Sequence, residues 1–420
     1  MIERFDWSEV GSRGPALARP RGREDPALLG AVRAIVEDIR ARGWDALVEQ
    51  AVRIDGAAPE LIAVARFAEQ ARATLTSEAQ EAIALAVRNV DYFHRQTRPR
   101  DVEVAVMPGL KIAKQWRPLR RVGLYVPGGK APLFSTLLML AVPAQVAGVG
   151  SLVVVTPPRP GGGLDPAIAL AAEMCGIEAI WTVGGAQAIA ALAFGAGEIE
   201  AVDCICGPGN AWVAAAKGLV AATPGGPGID LPAGPSELMV IADGSADPAT
   251  IAADLLSQAE HDPEAQVLLV TPSAALIEAV ARELGSQAAA MGGDYAPARA
   301  IVCADLAEAT AIANLYAPEH LSLATDLADH LVPKILNAGA IFAGHGAAES
   351  FGDYLGGSSH VLPTDGAARY TGGVSTLTFM KAITVQRVTA EAARALAAPA
   401  AALARLEGLE AHARAAEIRR

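Results

Sequence analysis

The sequence predicts an α/β fold that contains two parallel β-sheets. Short runs rich in valine, isoleucine and leucine alternate with helix-length segments, first from about residue 121 and again from about residue 237. This alternation is typical of βαβ units, because parallel strands need a crossover connection between them. A Gly/Pro-rich stretch, TPGGPGIDLPAGPSE, separates the two series. Two such units side by side predict a ligand cleft between the carboxyl ends of their strands.

The elements follow in order along the chain. Residues 24–100 are predicted to be helical and precede the first series. That series contains the predicted strands RVGLYV, SLVVVTP, AIWTVGG and AVDCICG, and the second contains LMVIAD, AQVLLVTP, RAIVCAD, LSLAT and GAIFAG. From about residue 373 we predict mostly helix. This alanine-rich amphipathic tail needs a surface to pack on, and a partner subunit would supply one.

Composition excludes some classes of partner and compartment. The formal net charge of −12 over 420 residues argues against nucleic acid and anionic membranes as partners. No apolar signal segment or membrane-length run is visible, since the longest apolar stretch is interrupted by Pro143 and Gln145. The cysteines lie in apolar segments without zinc-site spacing, which predicts reduced, buried thiols in a cytoplasmic protein. They are Cys175, Cys204, Cys206 and Cys303.

Glycine-rich turns follow three of the predicted strands, although the GxGxxG fingerprint of dinucleotide-binding proteins is missing. They are YVPGGKAP (125–132), VGGAQAIA (183–190) and CGPGNAWVAAAK (206–217). The second and third lead from a strand into a helix, so backbone N–H groups at the helix start could meet a pyrophosphate. Each turn alone is weak evidence, and the three together are stronger.

A glutamine and a histidine stand three residues apart at the end of a predicted helix. Asp247-Pro248 is a typical helix start, and Gln258 and His261 fall in the last turn, on one face. They would hold a metal or a substrate, or simply form a solvated helix end. From the residues alone the solvated end is favoured, because a histidine near a helix terminus complements the helix dipole.

Other polar residues interrupt apolar segments at intervals. Glu319-His320 directly precede an apolar strand and supply two proton-transfer groups, or else face solvent as a loop pair. Ser236 occupies a Gly/Pro-flanked loop, either as a substrate contact or as an ordinary turn serine. Asp353 stands between glycines and is either a metal ligand or an Asx turn. Glu407 and His412 would not attract notice in an otherwise solvated tail helix.

Taken together and in this order, these segments resemble the histidinol dehydrogenase family from about residue 24 to the C-terminus. The motifs that carry the resemblance are long: RPLRRVGLYVPGG, GGAQAIAALAFG, VDCICGPGNAWVAAAK, DLPAGPSELMVIAD, LLSQAEHDPEAQ, YAPEHLSL, SSHVLPT and EGLEAHARAAEIR. The resemblance implies two Rossmann-like domains without GxGxxG and a homodimer. It implies oxidation of L-histidinol with NAD and one Zn²⁺ per subunit.

The family's domain boundaries divide the chain into four parts. They are an N-terminal segment (1–23), an α/β domain with most metal and catalytic residues (24–103 and 232–372), an NAD-binding α/β domain (104–231) and a helical tail that crosses to the partner (373–420).

The resemblance also assigns roles to individual residues. It implies Gln258, His261, Asp353 and His412 as metal ligands, with His412 supplied by the other subunit. His320 would be the general base and Glu319 would activate water. Ser236 and Glu407 would join His320 and the four metal ligands in contacting the substrate, with Glu407 also crossing between subunits. Tyr125, Gln187 and Asn210 match the family's NAD contacts.

Two positions depart from the family pattern, and other functions were weighed. Ser359 stands where the family usually has asparagine, which puts a neighbouring loop contact in doubt. Trp212 replaces a tyrosine, which we expect to affect only local packing. A zinc-dependent dehydrogenase of another small polyol or amino alcohol is the alternative, with Glu407 as discriminator. A metal or nucleotide sensor would not need the Glu319–His320 pair, and a metallohydrolase would leave the glycine-rich turns unexplained.

Overall fold

A computed structural model describes residues 2–20, 25–128, 133–231 and 234–419. The strands in these ranges are β1 (Ile2–Asp6), β2 (Leu61–Ala63), β3 (Val102–Met107), β4 (Leu110–Pro118), β5 (Arg121–Tyr125), β6 (Ser151–Thr156), β7 (Ala179–Thr182), β8 (Cys204–Cys206), β9 (Gly228–Ile229), β10 (Glu237–Ala242), β11 (Gln266–Thr271), β12 (Ala298–Val302), β13 (His320–Ala324), β14 (Ala340–Ala343) and β15 (Met380–Val388).

The α-helices alternate with these strands over most of the chain. They are α1 (Val10–Ala16), α2 (Pro26–Arg42), α3 (Trp44–Ile54), α4 (Val64–Thr74), α5 (Ser77–Thr97), α6 (Phe134–Ala147), α7 (Pro166–Met174), α8 (Gly185–Phe194), α9 (Ala211–Ala221), α10 (Pro248–Ala259), α11 (Ala274–Met291), α12 (Leu306–Tyr316), α13 (Ala328–Leu331), α14 (Glu349–Tyr354), α15 (Ala390–Leu406) and α16 (Glu410–Glu417).

Two six-stranded sheets confirm the predicted α/β fold with parallel strands. In the first sheet the order is β1-β12-β11-β10-β13-β14, and every neighbouring pair is parallel. In the second the order is β2-β7-β6-β5-β8-β9, with only β2 antiparallel. All residues of β10 and β11 are buried. Helices cover both faces of such a sheet, so its strands are continuously apolar and easy to predict.

The N-terminal and C-terminal segments contain strands that the sequence did not indicate. Strand β1 pairs with β12 at the edge of the first sheet. The tail predicted as mostly helix begins with β15, which pairs antiparallel with β4 over nine residues. Strands β15, β4 and β3 form a third, antiparallel sheet. Most residues of β15 and β3 are exposed, so neither strand shows the apolar alternation that marks a half-buried strand.

The predicted grouping of residues 24–103 with 232–372 does not match the packing. Helix α2 packs on α8 and α9, α4 packs on α7, and α5 packs on α6. Strand β2 completes the edge of the second sheet by pairing with β7. Helices α2 to α5 therefore cover the second sheet, which is formed mainly by residues 104–231. Their apolar faces show that they are amphipathic, but not which sheet they cover.

Candidate active site

The candidate site lies at the amino ends of strands β10 and β13. A cavity of about 150 Å³ is lined by Ser236, Gln258, His261, Glu319, His320 and Asp353. The structure thus brings together six residues that lie in four separate segments of the sequence. We predicted a cleft between the carboxyl ends of both sheets, and this is wrong for the first sheet. The first sheet presents its amino ends, because Ser236 precedes β10 and His320 opens β13.

The Glu319–His320 pair is positioned by a sharp turn between α12 and β13. Helix α12 ends at Tyr316, and Ala317 adopts the left-handed conformation with φ of 56°. This conformation is strained for a residue other than glycine, and such strain is commonly found at functional sites. After Pro318 the chain enters β13, with Glu319 and His320 only 5% and 4% exposed. The solvated loop pair that the sequence left open is therefore excluded.

The hydrogen bonds of His320 determine which ring nitrogen can accept a proton. Nδ1 lies 3.1 Å from the backbone oxygen of Glu237, and a carbonyl oxygen can only accept, so Nδ1 carries the proton. Nε2 has no hydrogen-bond partner and lies 3.6 Å from Asp353 Oδ1. Glu319 Oε2 accepts from the backbone N–H of Glu237 at 2.8 Å. The two groups are held in fixed orientations by the backbone of one residue.

Buried acids surround His320. Glu349 Oε1 and Glu319 Oε2 each lie 3.6 Å from His320 Nδ1. Burial raises the pKa of Glu319 to about 8 and that of Glu349 to about 7. Burial alone would lower the pKa of His320, but the carboxylates of Glu349, Glu319 and Asp353 outweigh it and raise that pKa. Protonation of His320 is therefore coupled to that of the surrounding acids.

Glu349 is a site residue that the sequence analysis missed. It is 3% exposed, and its Oε2 has no hydrogen-bond partner. It opens α14, the six-residue helix that also carries Asp353. The only local signal is the spacing of four between the two acids, which places both on one face of a helix. The segment was not predicted as a helix, so this spacing carried no weight.

Two overlapping groups of residues could hold a metal ion in this cavity. Ligand atoms of His320, Glu349 and Asp353 lie within 4.8 Å of one another. The other group is the predicted one, with Gln258, His261 and Asp353. Gln258 is fully buried and neither atom of its amide has a hydrogen-bond partner, which is costly unless a ligand binds there. Both groups include Asp353, and the unpartnered amide of the buried Gln258 is the observation that favours the predicted group.

The glutamine and histidine keep their predicted relation, although the helix is shorter than expected. Helix α10 ends at Ala259, so His261 lies in the turn after the helix rather than in its last turn. The backbone N–H of His261 still donates to the carbonyl of Gln258, at 3.3 Å. The two side chains therefore still line one cavity.

The loop that follows α14 supports Asp353. His360 Nδ1 donates to the backbone oxygen of Asp353 at 3.0 Å, and its Nε2 lies 3.3 Å from Thr136 Oγ1. Ser359 is buried and its Oγ accepts from the N–H of Val361 at 3.1 Å. Serine at this position thus retains a local hydrogen bond to the backbone of the loop.

The predicted cofactor residues line a second cavity, at the carboxyl ends of the second sheet. This cavity measures about 790 Å³ and is lined by Tyr125, Gln187 and Asn210. The hydroxyl of Tyr125 accepts from the N–H of Gly185 at 3.2 Å, at the start of α8. Asn210 caps α9 through its side-chain oxygen. The positive N-terminal ends of two helices at this cavity suit an anionic ligand such as a dinucleotide.

Two further residues of this cavity were not predicted to line it. Asp55 accepts from the N–H of Gly184 and from Gln187 Nε2, both at 3.0 Å. It lies beyond α3, in a region predicted only as helix. Trp212, which we expected to affect only local packing, also lines the cavity and is 40% exposed.

The loop after β8 connects the two cavities. Gly207 lines the first cavity and Asn210 lines the second. Gly207 has a φ of 130°, and a Cβ atom there would lie 2.1 Å from the backbone oxygen of Tyr125. The buried Lys217 donates to the carbonyl of Gly207 at 2.8 Å and pairs with Asp230, which in turn accepts from Gly207 N–H at 2.7 Å. This network fixes the loop between the cavities.

Two predicted site residues lie elsewhere in the chain. Glu407 follows α15 and His412 belongs to α16, and both are exposed. Neither lines the first cavity of its own chain. A single chain therefore does not bring them to the site.

Comparisons with known proteins give a consistent result. The profile of the family described as histidinol dehydrogenase matches residues 18–420. The chain is 45% identical to histidinol dehydrogenase of Xanthomonas campestris pv. campestris, over 99% of this chain and 98% of that protein. It is 43% identical to histidinol dehydrogenase of Idiomarina loihiensis, over 100% and 96% of the two chains.

A solved structure shows the same fold over the whole chain. The crystal structure of histidinol dehydrogenase from Elizabethkingia anophelis superposes with a TM-score of 0.93 at 36% identity, covering 100% of this chain and 98% of that one. In the described ranges, every helix is too short or too polar to span a bilayer.

Proposed function

This chain belongs to the histidinol dehydrogenase family, and we propose that it oxidises L-histidinol to L-histidine in two NAD-dependent steps at a zinc site. The observation that carries the proposal is the buried Glu319–His320 pair in one cavity with Gln258, His261 and Asp353. A second cavity with Tyr125, Gln187 and Asn210 adjoins it across the loop that begins at Gly207. The activity implies a place at the end of histidine biosynthesis, in the cytoplasm. The four unpaired, buried cysteines support that location.

Gln258, His261 and Asp353 would hold the zinc ion, together with His412 from a second copy of the chain. Oxygen and nitrogen donors suit zinc, and the unpaired amide of the buried Gln258 supports its role as a ligand. A bound zinc ion would orient the amino alcohol and its imidazole ring by coordination, and a bound nicotinamide would accept each hydride.

The side chains of this chain would perform the proton transfers. His320 Nε2, the nitrogen without a hydrogen-bond partner, takes the proton of the substrate hydroxyl. At the same time the first hydride leaves the carbon that carries this hydroxyl. The product of this half is the aldehyde. Glu319 then takes a proton from a water molecule as the oxygen of that water attacks the aldehyde carbon. Loss of the second hydride to a second NAD⁺, with transfer of a hydroxyl proton from the hydrate to His320, gives the carboxylic acid, which ionises to the carboxylate.

Burial adapts Glu319 to its proposed role. A general base works best when its pKa is near the working pH, and burial raises the pKa of this carboxyl to about 8. The N–H of Glu237 holds one carboxylate oxygen, so the other remains available to a water molecule in the cavity. The cavity also holds the aldehyde close to the base between the two halves of the reaction.

The substrate's far end would be bound by Ser236 and by Glu407 of the second copy. An acid at Glu407 favours a cationic amino alcohol or an imidazole over an anionic substrate. The exposed apolar side chains of the tail, which include Leu403, Leu406 and Ile418, support a partner subunit that covers them.

The decisive experiment counts the NADH formed for each L-histidinol consumed by the zinc-loaded protein. We expect two, because both hydrides leave before release. In Glu319→Gln the count should fall to one, with the aldehyde as product, because the amide cannot take a proton from water. One NADH from the unchanged protein would refute the assigned second half. No NADH from folded, zinc-loaded protein would favour another amino alcohol or polyol as substrate.

Mixed dimers test the contribution of the tail. His412→Ala chains and Glu319→Ala chains should each be inactive for the complete reaction. When the two are mixed and re-associated, one of the two sites in each mixed dimer should be complete. Recovery of about a quarter of the unmutated activity in a statistical mixture would support ligation in trans. No recovery, with mixed dimers demonstrated by mass, would refute it.

A further inference from the structure

One fully buried residue, Glu237, contacts both members of the proposed catalytic pair through its backbone. Its N–H donates to Glu319 Oε2 at 2.8 Å, and its carbonyl oxygen accepts from His320 Nδ1 at 3.1 Å. A shift of this one peptide segment would therefore disturb the water-activating carboxylate and the base together. Whatever fixes Glu237 also fixes the geometry of both steps.

The side chain of Glu237 is held by Arg19 from the N-terminal segment. Arg19 Nε donates to Oε1 at 2.6 Å and Nη2 donates to Oε2 at 2.9 Å, the two-bond arrangement that aligns a carboxylate most firmly. Asp365 adds its backbone N–H to Oε1 at 3.0 Å. Burial raises the pKa of Glu237, so the carboxylate depends on these donors to stay ionised.

Arg19 also contacts Tyr316, at the end of the helix that precedes Glu319 and His320. Its guanidinium carbon lies 3.7 Å from the centre of the Tyr316 ring, and Nη2 donates to the backbone oxygen of Tyr316 at 2.9 Å. Tyr316 ends α12, three residues before Glu319. One arginine thus connects the start of β10, which carries Glu237, to the turn that leads into Glu319 and His320.

We propose that Arg19 and Glu237 are positioning residues that hold Glu319 and His320 in their reactive orientations. The inference rests on the proposed function for its kinetic consequences, although the geometry stands without it. Neither residue lines the cavity where the substrate would bind, so substrate and metal binding should depend little on them. Small displacements of reacting groups have large effects on rate, so the turnover number should be the sensitive quantity.

The kinetic test compares Arg19→Met with Arg19→Lys and with a matched control. Arg299→Met is the control, because Arg299 donates to the backbone oxygens of Pro15, Ala16 and Ala18 and so anchors the same segment. Arg19→Met should lower kcat about 10- to 100-fold with KM and bound zinc changed less than about threefold. Arg19→Lys keeps the charge without the two-bond geometry, so its kcat should fall between those of Arg19→Met and the unmutated protein. The kcat of Arg299→Met should stay within about threefold of the unmutated value.

Two outcomes would overturn the proposal. One is an unchanged kcat in Arg19→Met or, if that variant does not fold, in Arg19→Lys. The other is an equal loss in Arg299→Met, which would mean that the segment has only an anchoring role. Partial recovery of Arg19→Ala by added methylguanidinium, which can occupy the vacated position, would support it further.

A second readout separates this inference from the proposed function. Ring nitrogen-15 NMR of histidine-labelled protein, with the signal assigned through His320→Gln, reports which nitrogen of His320 carries the proton. We expect protonated Nδ1 in the unmutated protein and in Arg299→Met, and a changed Nδ1 signal in Arg19→Met. Inactivity of the unmutated protein toward L-histidinol would refute the proposed function and leave this test intact. An unchanged Nδ1 signal in Arg19→Met would refute the positioning role.

Discussion

Replacing the buried His94 with leucine should remove a pH-dependent loss of stability from the half of the chain that contains the second sheet. His94 lies in the last turn of α5, is fully buried, and has no hydrogen-bond partner for either ring nitrogen. The ring packs edge to face on Phe93, with centroids 5.2 Å apart. Nothing in these contacts compensates a positive charge.

The size of the effect follows from the pKa. Burial lowers the pKa of His94 from 6.5 to about 4. Between these two values the unfolded chain binds a proton that the folded chain does not, so stability falls as the pH falls through this window. At pH 5 most unfolded chains carry the proton and most folded chains do not, which costs about 2 kcal/mol relative to pH 7.5. Below pH 4 the loss reaches its limit.

Urea unfolding at pH 7.5 and pH 5.0 measures this loss. Trp44 and Trp181 pack against each other in the core of this half, with ring centroids 5.8 Å apart, and their fluorescence reports its unfolding. The free energy of unfolding of His94→Leu minus that of the unmutated protein should be about 2 kcal/mol larger at pH 5.0 than at pH 7.5. The exposed His330→Leu serves as the control. An equal difference at both pH values would refute the reasoning.

Two further predictions concern the loop between the cavities. Gly207→Ala should weaken NADH binding at least about tenfold in a fluorescence titration, because the new Cβ would meet the backbone oxygen of Tyr125 at 2.1 Å. Gly218→Ala, whose Cβ meets nothing within 4 Å, is the matched control, and equal affinities in the two variants would contradict the prediction. Lys217→Met should lower the free energy of unfolding by about 3–5 kcal/mol, since it leaves the buried Asp230 carboxylate unpaired. Adding Asp230→Asn should restore part of this in urea unfolding, and a further loss equal to the first would contradict it.

The sequence predicted those parts of the fold whose residues carry a local signal. Strands β10 and β11 are apolar throughout because both of their faces are covered, and their alternation with helices indicated parallel sheets. Strand β15 is exposed along most of its length and shows no such pattern. The sequence also could not predict that α2 to α5 pack on the second sheet, because an apolar stripe identifies a buried face without identifying what it contacts.

The residues of the candidate site also divide into those that the sequence predicted and those that it did not. Glu319 and His320 stand in an extended motif and were predicted, with roles taken from the family resemblance. Glu349, Asp55 and Glu237 were missed, although each forms hydrogen bonds or ionic contacts within one of the cavities or beside the Glu319–His320 pair. Glu349 and Asp55 are single acids in segments without a pattern, Glu237 stands in a quoted motif but received no role, and only tertiary packing shows that the three contribute to these contacts. Acids are mostly exposed in folded proteins, so the sequence alone favours a solvated position for each of them.

Chain direction accounts for the charge that each cavity is suited to bind. The second sheet presents its strand carboxyl ends, where helices α8 and α9 begin at Gly185 and Ala211. Helix N-termini are positive, which suits the pyrophosphate of the proposed cofactor. The first sheet presents its strand amino ends, where α10 finishes with Gln258 in its last turn. Helix C-termini are negative and favour cations, and the acids Glu319 and Asp353 add to this field. Two sheets that meet with opposite ends thus place a cavity suited to anions beside one suited to cations, which is the arrangement that the proposed oxidation, with a dinucleotide and a metal-bound amino alcohol, would require.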